Sequence, residues 1–333
     1  MAFRSRAHAR AIMIAALAAC AGPLAAKAQA QAYPSRPITV VSPYAAGGDS
    51  DLSGRNLANV APKYLGGQPL IITNVAGASG VIGSQKVRSS APDGYTLLIA
   101  RIGSQAILPA LDSKMAYKWN DFTFLSLLEL NPYVCVVNAN SAARTMKDLI
   151  GMLKANPGKL NYSSAGAGTI QHMGPQYIFN VAGLPAGAAE HVGYKGAGEA
   201  TAALLGGQVQ FMCTNMTTLG GHLKAGTLRA LMTTTAERLK DLPETPTARE
   251  LGWPQLEALT GWSALYGPPG LPAEVVAKWT EAFKQIAQDK DWLAGNLAIG
   301  GIPAVRSPAD TEKFAHEQYE LYEKLGSTLG LRK

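Results

Sequence analysis

The stretch VVSPYAAGGDSDLSGR, residues Val40 to Arg55, decides how the chain reads. An apolar run (Ile38, Val40, Val41) stops at Pro43 and Tyr44. A small-residue loop with Gly47 and Gly48 follows, and then a polar cluster opens a helical pattern. The order is strand, tight loop, helix N-terminus. Unpaired N–H groups at a helix start attract anions, and glycines let an anion approach the backbone closely. Asp49, Ser50 and Asp51 are each candidate N-caps, and Asp51 with Arg55 has the spacing of a helix-surface ion pair.

The unit recurs twice. Pro69 to Asn74 runs into VAGASG before a helical pattern over Val81 to Arg88. Leu160 to Ser163 runs into SSAGAGTIQHMG, with His172 near the start of the next helix. Between them, Tyr95 to Ala100 reads as a buried strand whose carboxyl end delivers Arg101, Gly103 and Ser104. Strand carboxyl ends are where open α/β sheets hold ligands. Further strands are expected at Tyr133–Val137, Glu190–Tyr194, Val209–Cys213, Leu228–Thr233 and Trp262–Tyr266. Capped helices are expected from Thr145 with Asp148 and from Ser307 with Pro308. Strands alternating with helices predict mixed sheets covered on both faces. Comparable groups before and after about residue 130 predict two lobes with a ligand cleft between them.

Composition supports this. The 333 residues are 47% hydrophobic and 16% charged, enough apolar material for sizeable cores. The first 30 residues read differently: Arg4, Arg6 and Arg10 precede an apolar run from Ala11 to Ala19, and Ala28-Gln29-Ala30 offers a cleavage site, the order of a secretory signal. Leu17-Ala18-Ala19-Cys20 also resembles a lipoprotein box, the alternative to simple cleavage. Removing the basic residues Arg4, Arg6, Arg10 and Lys27 takes the formal charge from +7 to +3, which makes no case for nucleic acid. Cys135 and Cys213 then remain. Each sits in a strand-like apolar run and reads as a buried free thiol rather than a disulfide partner. No Cys or His spacing suits a metal, and no cofactor is expected.

Competing readings of the loops fail on spacing. Gly166-Ala167-Gly168 begins like a dinucleotide fingerprint, but Gln171 stands where the last glycine belongs. Ser79 lacks a nucleophile-elbow frame. Ser163 or Ser164 with His172 leaves a secreted serine hydrolase or esterase as the alternative function, although no triad frame accompanies them. Arg101 is placed to fork a carboxylate. One helix N-terminus contributes about 0.3–1 kcal/mol to an anion, whereas micromolar affinity needs about 8 kcal/mol. Several loops must therefore converge on one ligand.

With these loops in hand the sequence resembles the periplasmic solute-binding receptors of tripartite tricarboxylate transporters, the Bug family. The resemblance rests on Pro43-Tyr44 with Gly47-Gly48, Asp51 and Arg55, on Asn74 with Gly77-Ala78 and Gly80, and on Ala91-Pro92-Asp93-Gly94-Tyr95. It continues through Pro157-Gly158-Lys159-Leu160-Asn161-Tyr162, Ser163-Ser164 with Gly166 and Gly168, and Tyr194-Lys195-Gly196. It implies a two-lobed periplasmic-binding-protein fold of the Venus-flytrap type, α/β throughout, each lobe a mixed sheet flanked by helices. The expected division is a signal peptide at 1–30, one lobe from 33–128 plus 258–333, and a second from 129–257. The implied function is non-enzymatic: a monomeric periplasmic receptor that captures a small carboxylate and presents it to membrane permease subunits, or, in a variant reading, to a sensor kinase. Carried over by position, the first lobe contributes Tyr44, Ala46, Gly47, Gly77, Ala78, Ser79 and Ser104. The second contributes Ser163, Ser164, Gly166, Thr169, His172, Thr214 and Asn215. Arg101 and Tyr44 depart from the usual family residues, and they suggest a dicarboxylate, aromatic ones such as terephthalate included.

Overall fold

The computed structural model describes residues 33–333; the expected signal segment, with Cys20, lies outside the described residues. The chain opens with β1 (Ile38–Ser42), α1 (Asp49–Val60), β2 (Leu70–Asn74), α2 (Val81–Arg88) and β3 (Thr96–Arg101). A π-helical turn over Gly103–Ile107 and a short α3 (Leu108–Leu111) follow. Next come β4 (Thr123–Asn138), α4 (Met146–Ala155), β5 (Leu160–Ser164), α5 (Ile170–Val181) and β6 (Ala189–Gly193). They are succeeded by α6 (Ala197–Leu205), β7 (Phe211–Asn215), α7 (Gly220–Lys224) and β8 (Leu228–Thr233). The return comprises β9 (Thr260–Gly267), α8 (Ala273–Ile286), α9 (Lys290–Ala298), β10 (Ile302–Pro303) and α10 (Pro308–Thr328).

The strands pair in the order β2-β1-β3-β9-β4-β7-β5-β6, with β8 and β10 also on β4. β4 joins the two lobes. Its first part, Thr123 to Pro132, lies antiparallel to β9, and its second part, Tyr133 to Asn138, pairs with β7 and β8. The partners change where Pro132 has no N–H to give a ladder. The sequence reading found only Tyr133–Val137 of this 16-residue strand. Two register shifts against β9 interrupt the earlier part. Leu125 and Leu128 therefore face one core while Phe124 and Leu127 face another, and the period-two signal is lost.

Alternation holds elsewhere and builds two-sided sheets. Val40 packs with Leu57, Trp279, Phe283 and Trp292 on one face, and its neighbour Val41 joins Leu98 and Tyr266 on the other. In the second lobe Val134 and Val136 meet α6 through Ala200 and Leu204, while Cys135 and Val137 face Tyr162 and Phe211.

Local signals resolve mostly as read. Thr145 and Asp148 form a capping box, and the Ser307 side chain caps α10. Asp51 and Arg55 pair at 3.0 Å. The cap of α1 differs: Gly48 takes that position, and the Asp51 carboxylate reaches back to the Gly47 N–H at 3.0 Å. The cysteines need a larger correction. Cys135 and Cys213 are not free thiols but a disulfide. They stand directly opposite each other on antiparallel β4 and β7. A separation of 78 residues along the chain hides that adjacency.

Candidate functional site

Three adjacent strands build the floor of the cleft. In register, Arg101 at the end of β3 stands opposite Ser263 of β9, and Ser263 stands opposite Glu129 of β4. Arg101 Nη1 donates to Asn131 Oδ1 at 2.9 Å and to Ser263 Oγ at 2.5 Å. Ser263 Oγ in turn donates to Glu129 Oε1 at 2.9 Å, and Asn131 Nδ2 reaches the same oxygen at 3.3 Å. Arg101 Nη2 lies 3.1 Å from Asp49 Oδ2 in the first turn of α1. From the second lobe, Asn215 Nδ2 donates to that same Asp49 oxygen at 3.0 Å.

One guanidinium thus lies between two carboxylates, and all three residues are buried. Burial pushes the Glu129 carboxyl above its ordinary range, and the Arg101 charge only partly opposes this. Arg101 is 3% exposed and Asp49 7% exposed. An ion pair so desolvated persists because hydrogen bonds satisfy its remaining valences. One oxygen of each carboxylate departs from that pattern: Asp49 Oδ1 and Glu129 Oε2 are both buried without a partner, and of these two residues only Asp49 lines the cavity between the lobes.

Above this floor, between the lobes, is a cavity of about 30 Å³ lined by Tyr44, Asp49, Ser50, Arg101, Ile102, Gly103, Ala165, Thr169, Ile170, Gln171, Ala197 and Asn215. That is room for roughly one or two waters. Any organic carboxylate needs the walls to part.

The structure distributes the predicted residues unevenly. Tyr44, Arg101, Thr169 and Asn215 line the cavity. The Tyr44 hydroxyl donates to the Ser79 carbonyl at 2.9 Å, and burial raises its pKa. Ala46 and Gly47 sit on the exposed rim, beside a backbone bond from Ala45 N to Lys195 O of the other lobe. Gly77, Ala78 and Ser79 all have positive φ, and Ser79 abuts Gly166 across the cleft. Ser104 is fully buried near Tyr44. Thr214 accepts from Gln171 Nε2 at 2.7 Å, and Gln171 Oε1 accepts from Ala165 N at 2.6 Å, so these two hold the loop that carries the cavity wall.

The pairing expected for a hydrolase does not form. Ser163 Oγ donates to Ala200 O at 3.0 Å, and Ser164 Oγ lies 2.5 Å from His191 Nε2, not from His172. His172 Nδ1 accepts from Gly168 N at 3.3 Å. Burial and then the neighbouring His191 lower its pKa to about 4.

Sequence reading missed Glu129, Asn131 and Ser263 altogether, took Gln171 only as the residue that breaks a dinucleotide fingerprint, and took Asp49 only as a candidate cap. Spacing alone carries no signal for the first three, because they meet Arg101 only through strand pairing. Asp49 could have been flagged as an acidic residue at an anion-attracting helix start.

Residues 54–331 match the family described as tripartite tricarboxylate transporter family receptor. Protein BugT of Bordetella pertussis is 31% identical over 303 residues, covering 89% of this chain and 90% of that one. MatC from Rhodopseudomonas palustris with bound malate superposes with a TM-score of 0.83 at 28% identity, covering 88% of this chain and 99% of that one. A second R. palustris protein, with adipate, gives 0.84 at 27% identity, covering 90% and 98%.

Proposed function

The chain belongs to the tripartite tricarboxylate transporter receptor family, and on that premise we propose that it captures a small organic carboxylate between its lobes and delivers it to the membrane permease of such a transporter. The observation that carries the reading is the cavity itself. Loops from both lobes meet there, with the start of α1 on one side and the start of α5 on the other. Helix starts favour an anion, and contacts from two lobes let ligand binding drive closure. Solved relatives that hold malate and adipate support a carboxylate. Export to the periplasm, a monomeric receptor and the lobe boundaries near 128–129 and 257–258 belong to the same proposal.

A dicarboxylate fits this reading as the finer expectation. An aromatic one such as terephthalate would reach Arg101 only if Asp49 released it, since Arg101 is already paired with Asp49 and hydrogen-bonded to Asn131 and Ser263. The test is a melting-temperature screen of the exported protein against mono-, di- and tricarboxylates, aliphatic and aromatic. A ligand of the native state raises the midpoint with dose, reaching about 2.7 kcal/mol of stabilisation at a hundred times its Kd. No shift with any carboxylate would overturn the receptor reading.

A further inference from the structure

We infer that Asp49 selects the ligand: it accepts a hydrogen bond from a hydroxyl, ammonium or amide donor that the captured carboxylate also carries. The inference rests on the receptor reading above and adds a chemical class to it.

Asp49 lines the cavity and is more than nine-tenths buried. Its Oδ2 is occupied twice, by Arg101 Nη2 and Asn215 Nδ2, and its Oδ1 has no partner at all. A buried carboxylate oxygen left unpaired is costly and calls for a donor. The side-chain donors around the cavity are engaged elsewhere. Gln171 Nε2 is committed to Thr214 and the Tyr44 hydroxyl to Ser79 O. A ligand donor that enters the cavity, displacing any water there, supplies what the side chains of the wall do not.

Charge points the same way. Arg101 faces two buried carboxylates, Asp49 directly and Glu129 through Ser263 and Asn131. A ligand carboxylate placed against Asp49 would meet like charge in a desolvated site, whereas a hydroxyl or amine there completes the carboxylate's hydrogen bonding. The ligand's own carboxylate is left to the loop N–H groups and the helix starts.

Two matched series test this by calorimetric titration of the exported protein: succinate, malate and aspartate, and benzoate with 4-hydroxybenzoate. The expected result is that, in at least one series, the donor-bearing member binds about tenfold tighter than its parent, or more. Asp49→Ala should erase that preference, so that the donor-bearing member loses its tenfold advantage over the parent measured in the same variant, whatever the variant does to the affinity of both. Asp49→Asn, which keeps the shape and one acceptor oxygen, guards against a variant that fails to fold, and the wild-type ranking stands without any variant. Donor-bearing members that bind no better than their parents in either series, or a preference that survives Asp49→Ala, would overturn the inference. The receptor reading fails separately, only when the broad carboxylate screen is also silent.

Discussion

His172 shows what the loop environment does to a single side chain. Its Nδ1 accepts a backbone N–H from Gly168, so the neutral ring is the form that fits, and the His191 ring lies 4.4 Å away, centroid to centroid. Burial first, and His191 second, lower the folded pKa from 6.5 to about 4. Between those values the unfolded chain binds the proton and the folded chain does not. Stability is therefore full above pH 6.5, falls as pH drops toward 4, and loses nothing further from this group below that, a total of about 3 kcal/mol. Urea unfolding of wild type and His172→Gln at pH 7.5, 6 and 4.5 checks this; the variant should show a flatter decline, and parallel curves would refute the assignment. That His172 starts a helix was legible in the sequence. That a second histidine from β6 faces it was not, because the rest of α5 and the loop after it lie between the two along the chain.

The elements tell a similar story. The alternating strands and capped helices were readable because each signal lies within a few residues: Thr145 with Asp148, Asp51 with Arg55, Pro308 after Ser307. β4 was half missed because bulges against β9 break its alternation, and α9 was missed because its apolar residues form no face: Trp292 is buried while Leu297 is exposed. The register of β4 with β7 makes a prediction of its own. The disulfide Cys135–Cys213 closes a loop of 78 residues, and cross-links of that span stabilise by about 2–5 kcal/mol. Peptide mapping without reductant should recover the linked pair, and Cys135→Ser with Cys213→Ser should lower the melting temperature by several degrees. Unlinked peptides from the exported protein would restore the free-thiol reading.

At the scale of the molecule the two lobes meet through small residues. Gly166 sits at φ +119°, and a Cβ there would come within 2.4 Å of Ser79 Oγ on the facing loop. Gly168 and Leu108 are pressed together in the same way. Gly166→Ala should therefore weaken carboxylate binding by roughly tenfold or more, through backbone strain and a wedge between the lobes. Adding Ser79→Ala separates the two causes: recovery of affinity in the double variant marks the wedge, and none marks strain alone. Unchanged affinity in Gly166→Ala would mean that the lobes need not come this close to hold ligand.

The receptor reading came from ordered motifs shared with the family, whereas by itself the sequence determined the repeated strand, glycine loop and helix units and the anion-attracting character of their junctions. Those properties are local, set by neighbours three or four residues apart or by the alternation of a strand. Only the tertiary structure decided what Arg101 does. Read along the chain it was free to clamp a ligand. Folded, it is held by Asp49, Asn131 and Ser263, residues 30 to 162 positions away in the two hydrogen bonds it donates from Nη1. A buried charge takes the nearest complementary groups in space, and strand pairing, not sequence distance, determines which groups those are.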